Sequence, residues 1–158
     1  MLKFLKKEFQ LVSPVDGETF DLSLMPDPVF AQKMTGDGVA INITGDLFVA
    51  PADGELTLIF ETNHAYGMVL DNGMEIFVHI GVDTVELGGK GFTRLIEPGQ
   101  KVKAGTPIIK IDREFLLEKN YCLHTPLLIT NMDKTKLITP ILNTFVKSGE
   151  GIALTYKI

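Results

Sequence analysis

The sequence predicts an all-β fold, an antiparallel β-sandwich or barrel with internal duplication and one or two short helices. Three observations lead there. The 158 residues include 15 glycines and 8 prolines, a helix breaker at about every seventh residue and too dense a spacing for long helices. The hexapeptide Ser-Pro-Val-Asp-Gly-Glu at Ser13 to Glu18 returns as Ala-Pro-Ala-Asp-Gly-Glu at Ala50 to Glu55, the mark of a duplicated unit. Asp71-Asn72-Gly73 parts two apolar runs, and Asn-Gly readily takes the positive φ values of a type I′ hairpin turn.

In chain order, residues 1–10 read as a tail and 11–158 as a single domain, since no Ser/Gly/Pro linker or charge run divides the rest. In both hexapeptides Pro sets φ, Asp can bond its own backbone and Gly accepts positive φ, so each makes a tight turn entering a strand. Short apolar runs bounded by turn residues predict strands at Gly38 to Ile43, Leu47 to Ala50, Glu55 to Phe60, Ala65 to Leu70, Met74 to Ile80, Phe92 to Ile96, Pro107 to Ile111, Leu127 to Asn131 and Ile152 to Tyr156. Ala65 to Ile80 is then a hairpin. A second echo, Glu97 to Ile108 against Val146 to Ile152, implies a sheet built twice and packed on itself. The one long stretch after Pro107 without Gly or Pro starts a helix at Asp112, which can cap it, and runs through Asn120, burying Phe115, Leu116 and the stem of Lys119.

Composition narrows the function classes. Apolar residues make up 45% of the chain, as in an ordinary soluble globule. Twenty acidic residues outnumber 15 scattered basic ones, so the basic footprint of a nucleic-acid binder is missing. The single cysteine, Cys122, forms no intrachain disulfide and fits a reducing compartment, the cytoplasm. The longest uncharged stretch, Asn120 to Met132, has 13 residues, well short of the roughly 20 that span a bilayer. Lysines interrupt the N-terminus, so no secretory signal is read there. Leu2, Leu5 and Phe9 fall opposite Lys3, Lys6 and Lys7 at helical spacing, a pattern for weak contact with an anionic membrane by residues 1–10; a mobile tail is the competing reading.

Chemistry concentrates at one end of the hairpin. Alternation sends Met74, Ile76, Val78 and Ile80 to the core and turns Glu75, Phe77 and His79 outward. Pairing across Asn72-Gly73 sets His64 near Ile80 and His79 near Tyr66 or its neighbours, so two of the three histidines meet, with Thr62 and Asp83 beside them. A neutral imidazole is a nucleophile near pH 7, and a second imidazole with a hydroxyl can donate to phosphoryl oxygens. No P-loop is present, which disfavours ATP as the donor. A zinc centre on His64, His79 and Asp83 is the competing chemistry. His124 and Cys122 read as structural residues, and Lys90, between glycines, as an ordinary surface lysine rather than the modified lysine of a carrier domain.

The run Gly-Met-Glu-Ile-Phe-Val-His-Ile-Gly-Val-Asp-Thr-Val from Gly73 to Val85 resembles the active-site signature of the glucose-type enzyme IIA component of the bacterial phosphoenolpyruvate-dependent sugar phosphotransferase system. The resemblance extends through Phe60 to Tyr66, Val29 to Ile41, Val49 to Gly54, Gly99 to Gly105 and Ile129 to Asp133, nearly the whole chain after its first ten residues. It implies a β-sandwich with internal duplication. It also implies a phosphoryl carrier in which His79 accepts the group from phospho-HPr and passes it to the cysteine of a sugar-specific enzyme IIB in a IIB/IIC permease. In that pattern His64 steadies the phosphoryl group, Thr62 orients it, the Gly81 carbonyl fixes the His79 ring, Asp83 lies at the rim, and Phe30, Phe60 and Phe77 form the docking surface. No cofactor is required. With no IIB or IIC part attached, the chain reads as a free-standing subunit. Some members also bind transporters or kinases in regulation, at times with zinc shared by His64, His79 and a partner's carboxylate. A zinc endopeptidase with His79-x-x-x-Asp83 is the alternative of another class, and it lacks a His-x-His pair, for which only Cys122-Leu123-His124 stands in.

Overall fold

The computed structural model describes residues 7–158. All nine strands read from the sequence are present: β3 (Asp37–Ile43), β4 (Leu47–Val49), β5 (Gly54–Ile59), β6 (Ala65–Leu70), β7 (Glu75–His79), β8 (Phe92–Arg94), β10 (Pro107–Ile111), β11 (Thr125–Ile129) and β14 (Ile152–Lys157). Five more escaped the pattern: β1 (Glu8–Val12), β2 (Gly17–Phe20), β9 (Gln100–Val102), β12 (Leu137–Pro140) and β13 (Phe145–Val146). Four of the five are sheet edges, where charged and polar side chains mask alternation. The helix α2 (Arg113–Glu118) is shorter than expected. Asp112 caps it by accepting from Phe115 N, and it ends at Lys119, ahead of Asn120 at φ 65°. Leu116 is buried, Phe115 half-buried, and Lys119 is exposed with its ammonium over the Phe115 ring.

The boundary drawn at residue 10 falls inside β1. Phe9 lies in that strand opposite Tyr156, with the two rings stacked at 5.4 Å. It therefore does not belong to an amphipathic helix: strand pairing satisfies its backbone and stacking covers its ring. Leu2, Leu5, Lys3 and Lys6, on which the membrane-contact reading rests, lie outside the described residues.

An eight-stranded sheet in the order β13-β2-β3-β11-β7-β6-β5-β9 packs with two three-stranded sheets, β1-β14-β12 and β4-β10-β8. A single apolar cluster joins all three, with Leu11, Ile41, Phe48, Leu56, Val78, Ile109, Leu127 and Leu154 among its buried members. The duplication is visible bond by bond. The Asp16 carboxylate accepts from Ser148 N at 2.7 Å and Asp53 accepts from Ala104 N at 2.8 Å. Ser13 O takes Gly149 N while Ala50 O takes Gly105 N, and Gly17 pairs with Val146 as Gly54 pairs with Val102. The two hexapeptides also embrace each other, Val12 N donating to Pro51 O and Val49 N to Pro14 O. Strand order reads the same from either edge under the exchange of halves, so a pseudo-twofold axis passes between β11 and β7 at the Leu127–Val78 pair.

The β6–β7 hairpin forms, and its turn differs from the type I′ expected. Leu70 pairs with Met74 around a three-residue loop, and Gly73 alone takes positive φ, at 88°. Asn72 instead uses its side chain, accepting from Met74 N and donating to the Tyr156 hydroxyl, so it stays out of the left-handed region. That geometry fits a type I turn followed by a glycine. It places His79 opposite Ala65, the neighbour of Tyr66.

Candidate active site

As alternation requires, Ile76, Val78 and Ile80 go inward and Phe77 and His79 outward. His64 lies one residue before β6, where its carbonyl accepts from Ile80 N at 2.7 Å, and this bond extends the hairpin ladder to the site. The His64 and His79 ring centroids are 4.9 Å apart at 82°. His64 is not a surface residue: it is 2% exposed, the Phe60 ring covering it edge-on at 5.2 Å.

Each ring has one nitrogen engaged and one free. His79 Nδ1 lies 2.8 Å from Gly81 O, and because a carbonyl only accepts, that nitrogen carries the proton and Nε2 keeps its lone pair. His64 Nδ1 lies 2.6 Å from Thr62 Oγ1. Gly81 can present its carbonyl because it takes φ 77°; a Cβ there would stand 2.7 Å from Thr84 Cγ2 and 2.9 Å from Cys122 O. The loop is pinned by Val82 N donating to Cys122 O, Gly81 N to Thr125 Oγ1, and Thr84 Oγ1 to Ile80 O.

Burial pushes His64 down to about 4, with the neighbouring His79 adding to the effect. Burial also lowers His79, while its bond to Gly81 and the charges of Asp27 and Asp83 pull it part of the way back. Both rings are thus neutral near pH 7. Asp83 is exposed, in the left-handed region at φ 59°, at the head of a 3₁₀ turn, Thr84–Leu87. It acts on His79 through its charge. Among the described residues no group of three or more His, Cys, Asp or Glu can hold a metal. The three-ligand zinc centre within the chain is therefore not formed, and the peptidase reading loses its ligand set.

The three phenylalanines lie around the two histidines and are more covered than a docking surface suggests. Phe30 is buried at 5% and its ring lies 5.0 Å from that of His79. Phe60 and Phe77 are half-buried, 5.7 Å apart, and Phe77 stands 6.3 Å from His79. Phe30 arrives on a short helix, α1 (Pro28–Ala31), capped by Asp27. The sequence reading missed this helix although Asp-Pro is its start signal. It also missed Asn63, at φ 60°, and Arg94, whose guanidinium donates to Asn63 Oδ1 and Phe60 O.

His124 and Cys122 stay outside this constellation. His124 packs edge-on against Phe20 at 4.9 Å, with Nδ1 buried and unpaired among the described residues. Cys122 is half-buried rather than fully so and meets the site only through its carbonyl. Lys90 is exposed in the turn before β8.

Comparison with known proteins agrees with this geometry. Residues 9–135 match the family model described as phosphoenolpyruvate-dependent sugar phosphotransferase system, EIIA 1. The chain is 43% identical over 150 residues to a PTS system glucose-specific EIIA component of Haemophilus influenzae, covering 95% of this chain and 90% of that one. It is 47% identical over 124 residues to a mannose-specific EIIBCA component of Corynebacterium glutamicum, 78% of this chain and 18% of the relative. The structure of glucose permease IIA from Mycoplasma capricolum superposes with a TM-score of 0.85 at 32% identity, covering 98% of this chain and 99% of that one.

Proposed function

This chain belongs to the EIIA 1 family of the phosphoenolpyruvate-dependent sugar phosphotransferase system, a family of phosphoryl carriers, and we propose that it carries the phosphoryl group on Nε2 of His79. The observation that supports this reading is the bond from His79 Nδ1 to Gly81 O, which leaves one nucleophilic nitrogen beside a second imidazole.

The Nε2 lone pair of His79 attacks phosphorus of phospho-HPr; the N–P bond to the donor breaks as the N–P bond to His79 forms. His79 becomes an imidazolium-like ring whose Nδ1–H still donates to Gly81 O, and Asp27 and Asp83 favour that added positive charge. Thr62 donates its hydroxyl proton to His64 Nδ1, so His64 presents Nε2–H to the equatorial phosphoryl oxygens. A cysteine thiolate of a sugar-specific enzyme IIB then attacks the same phosphorus, and the lone pair returns to Nε2. Relatives whose names join A with B and C parts in one chain support that acceptor. Phe30, Phe60 and Phe77 form the apolar collar on which donor and acceptor dock, excluding the water that would hydrolyse the N–P bond.

Transfer itself requires no cofactor. At a partner interface zinc would be held by His79 Nε2 and, with the His64 proton moved to Nδ1 and donated to Thr62 Oγ1, by His64 Nε2, a partner's carboxylate completing the set; the metal would bridge proteins and supply no chemistry to transfer. Phosphorylation sets an anionic phosphoryl group, offset in part by the positive charge on the His79 ring, on this apolar face, which would release any transporter or kinase bound to the unphosphorylated form. No helix among the described residues is long and apolar enough to cross a membrane, and the protein works at the cytoplasmic face of its permease. Incubation with phosphoenolpyruvate, enzyme I and HPr tests the proposal. One acid-labile phosphoryl group on the wild type and none on His79→Ala is expected; an unlabelled wild type contradicts it.

A further inference from the structure

We infer that Arg94 is a positioning residue for phosphoryl transfer, acting through the left-handed turn at Asn63 to fix the tautomer of His64. The inference rests on the His79 reading above. Arg94 ends β8, where it pairs with Ile109 in a three-stranded sheet, whereas the turn joins β5 to β6 in the eight-stranded one. Its guanidinium spans the gap. Nε donates to Asn63 Oδ1 at 2.9 Å, and an Nη to Phe60 O at 3.2 Å. The other Nη donates to Glu97 Oε2 at 3.0 Å.

The two bonds to the turn grip it at both ends. Phe60 O also accepts Asn63 N at 2.7 Å, so Arg94 and the turn's own backbone converge on one oxygen. Between those grips lie Glu61 and Thr62, and His64 follows Asn63 directly. Asn63 takes φ 60°, a left-handed conformation that asparagine tolerates better than most residues, and its Oδ1 is the acceptor that ties the turn to Arg94. The 2.6 Å contact from Thr62 Oγ1 to His64 Nδ1 depends on the shape of this turn, and with Thr62 donating, as in the transfer step above, it keeps the His64 proton on Nε2. A lysine at position 94 keeps the charge and loses the fork, because an ammonium cannot donate to two acceptors in the plane of a guanidinium. The role is one of shape. Burial and His79, with no contribution from Arg94, account for the lowered His64.

The test compares Arg94→Lys with Asn63→Gly, which keeps the left-handed turn and removes the acceptor. Thermal unfolding near the wild-type temperature establishes that both fold. In protein carrying ¹⁵N-labelled histidine, the wild type shows one His64 tautomer and Arg94→Lys a mixture. Transfer from phospho-His79 to the enzyme IIB acceptor falls by about tenfold to a hundredfold in Arg94→Lys and by less in Asn63→Gly, while the amount of phosphoryl group accepted stays at one. In a His64→Gln background Arg94→Lys adds no further loss. Wild-type transfer and a single tautomer in Arg94→Lys overturn the inference and leave the His79 reading intact, as does an equal extra loss in the His64→Gln background. A wild type that takes no phosphoryl group on His79 overturns both.

Discussion

The two halves of the duplicated sheet place the same frame under different side chains. The twofold relation at the Leu127–Val78 pair superposes β11 on β7, Leu128 on His79 and Asp37 on His64. In the first half Leu128 is fully buried beneath Leu22, Met25 and Phe30, which lie on the long connection from β2 to β3. In the second half the connection from β5 to β6 is a short turn that sets Phe60 against Phe77 and supplies Thr62 and His64. One half spends its outer face on a satellite core, and the other leaves that face to chemistry. Phe30 joins them, reaching from the cover of Leu128 to the His79 ring, and Phe77 and Val82 pack against the same satellite core.

The most damaging way to break this contrast is to give the active half its twin's residue. His79→Leu is expected to fold and to accept no phosphoryl group, read by mass spectrometry after incubation with the donor system. Next comes Gly81→Ala, whose Cβ has no room beside Thr84 and Cys122 O and whose φ is 77°. It should lower stability by about 1–3 kcal/mol in urea unfolding and slow phosphorylation of His79, since the carbonyl that orients the ring must shift. Thr62→Ala frees the His64 tautomer and should cut forward transfer by about tenfold, with acceptance complete. In the covered half the balance reverses: Leu128→Ala should cost about 2–5 kcal/mol and slow transfer per folded molecule far less than Thr62→Ala does.

A separate contrast is the pH dependence of stability. Both His64 and His79 protonate at lower pH when folded than when unfolded, His64 at about 4. The unfolded chain therefore binds protons that the folded chain does not, and stability falls as pH drops from the ordinary histidine range near 6.5 toward 4. Above that range the two rings contribute nothing to the slope. Urea midpoints across this window should decline in the wild type and decline less in His64→Gln.

What the sequence showed was whatever depends on short-range pattern. Alternation in β7 placed His79 outward, and hairpin pairing brought His64 to it. Both rest on the period of two, which a strand cannot evade. The hexapeptide repeat announced the duplication, but the reciprocal bonds of Asp16 and Asp53 needed the fold. Long-range covering stayed hidden: nothing local tells that Phe60 buries His64 or that Leu22 to Ala31 fold over Leu128. Arg94 escaped for the same reason, its partners being on another sheet and without any spacing that points to them. The type I′ expectation at Asn72 failed because its amide had a better use, bonding the Tyr156 hydroxyl.

The central claim, that Gly81 holds the Nδ1 proton of His79 so that Nε2 is the sole nucleophile, is tested most directly by nitrogen-resolved NMR of the phosphorylated protein. The expected spectrum couples phosphorus to Nε2 of His79, with Nδ1 still protonated. Phosphorus on Nδ1 of His79, or on either nitrogen of His64, would contradict it.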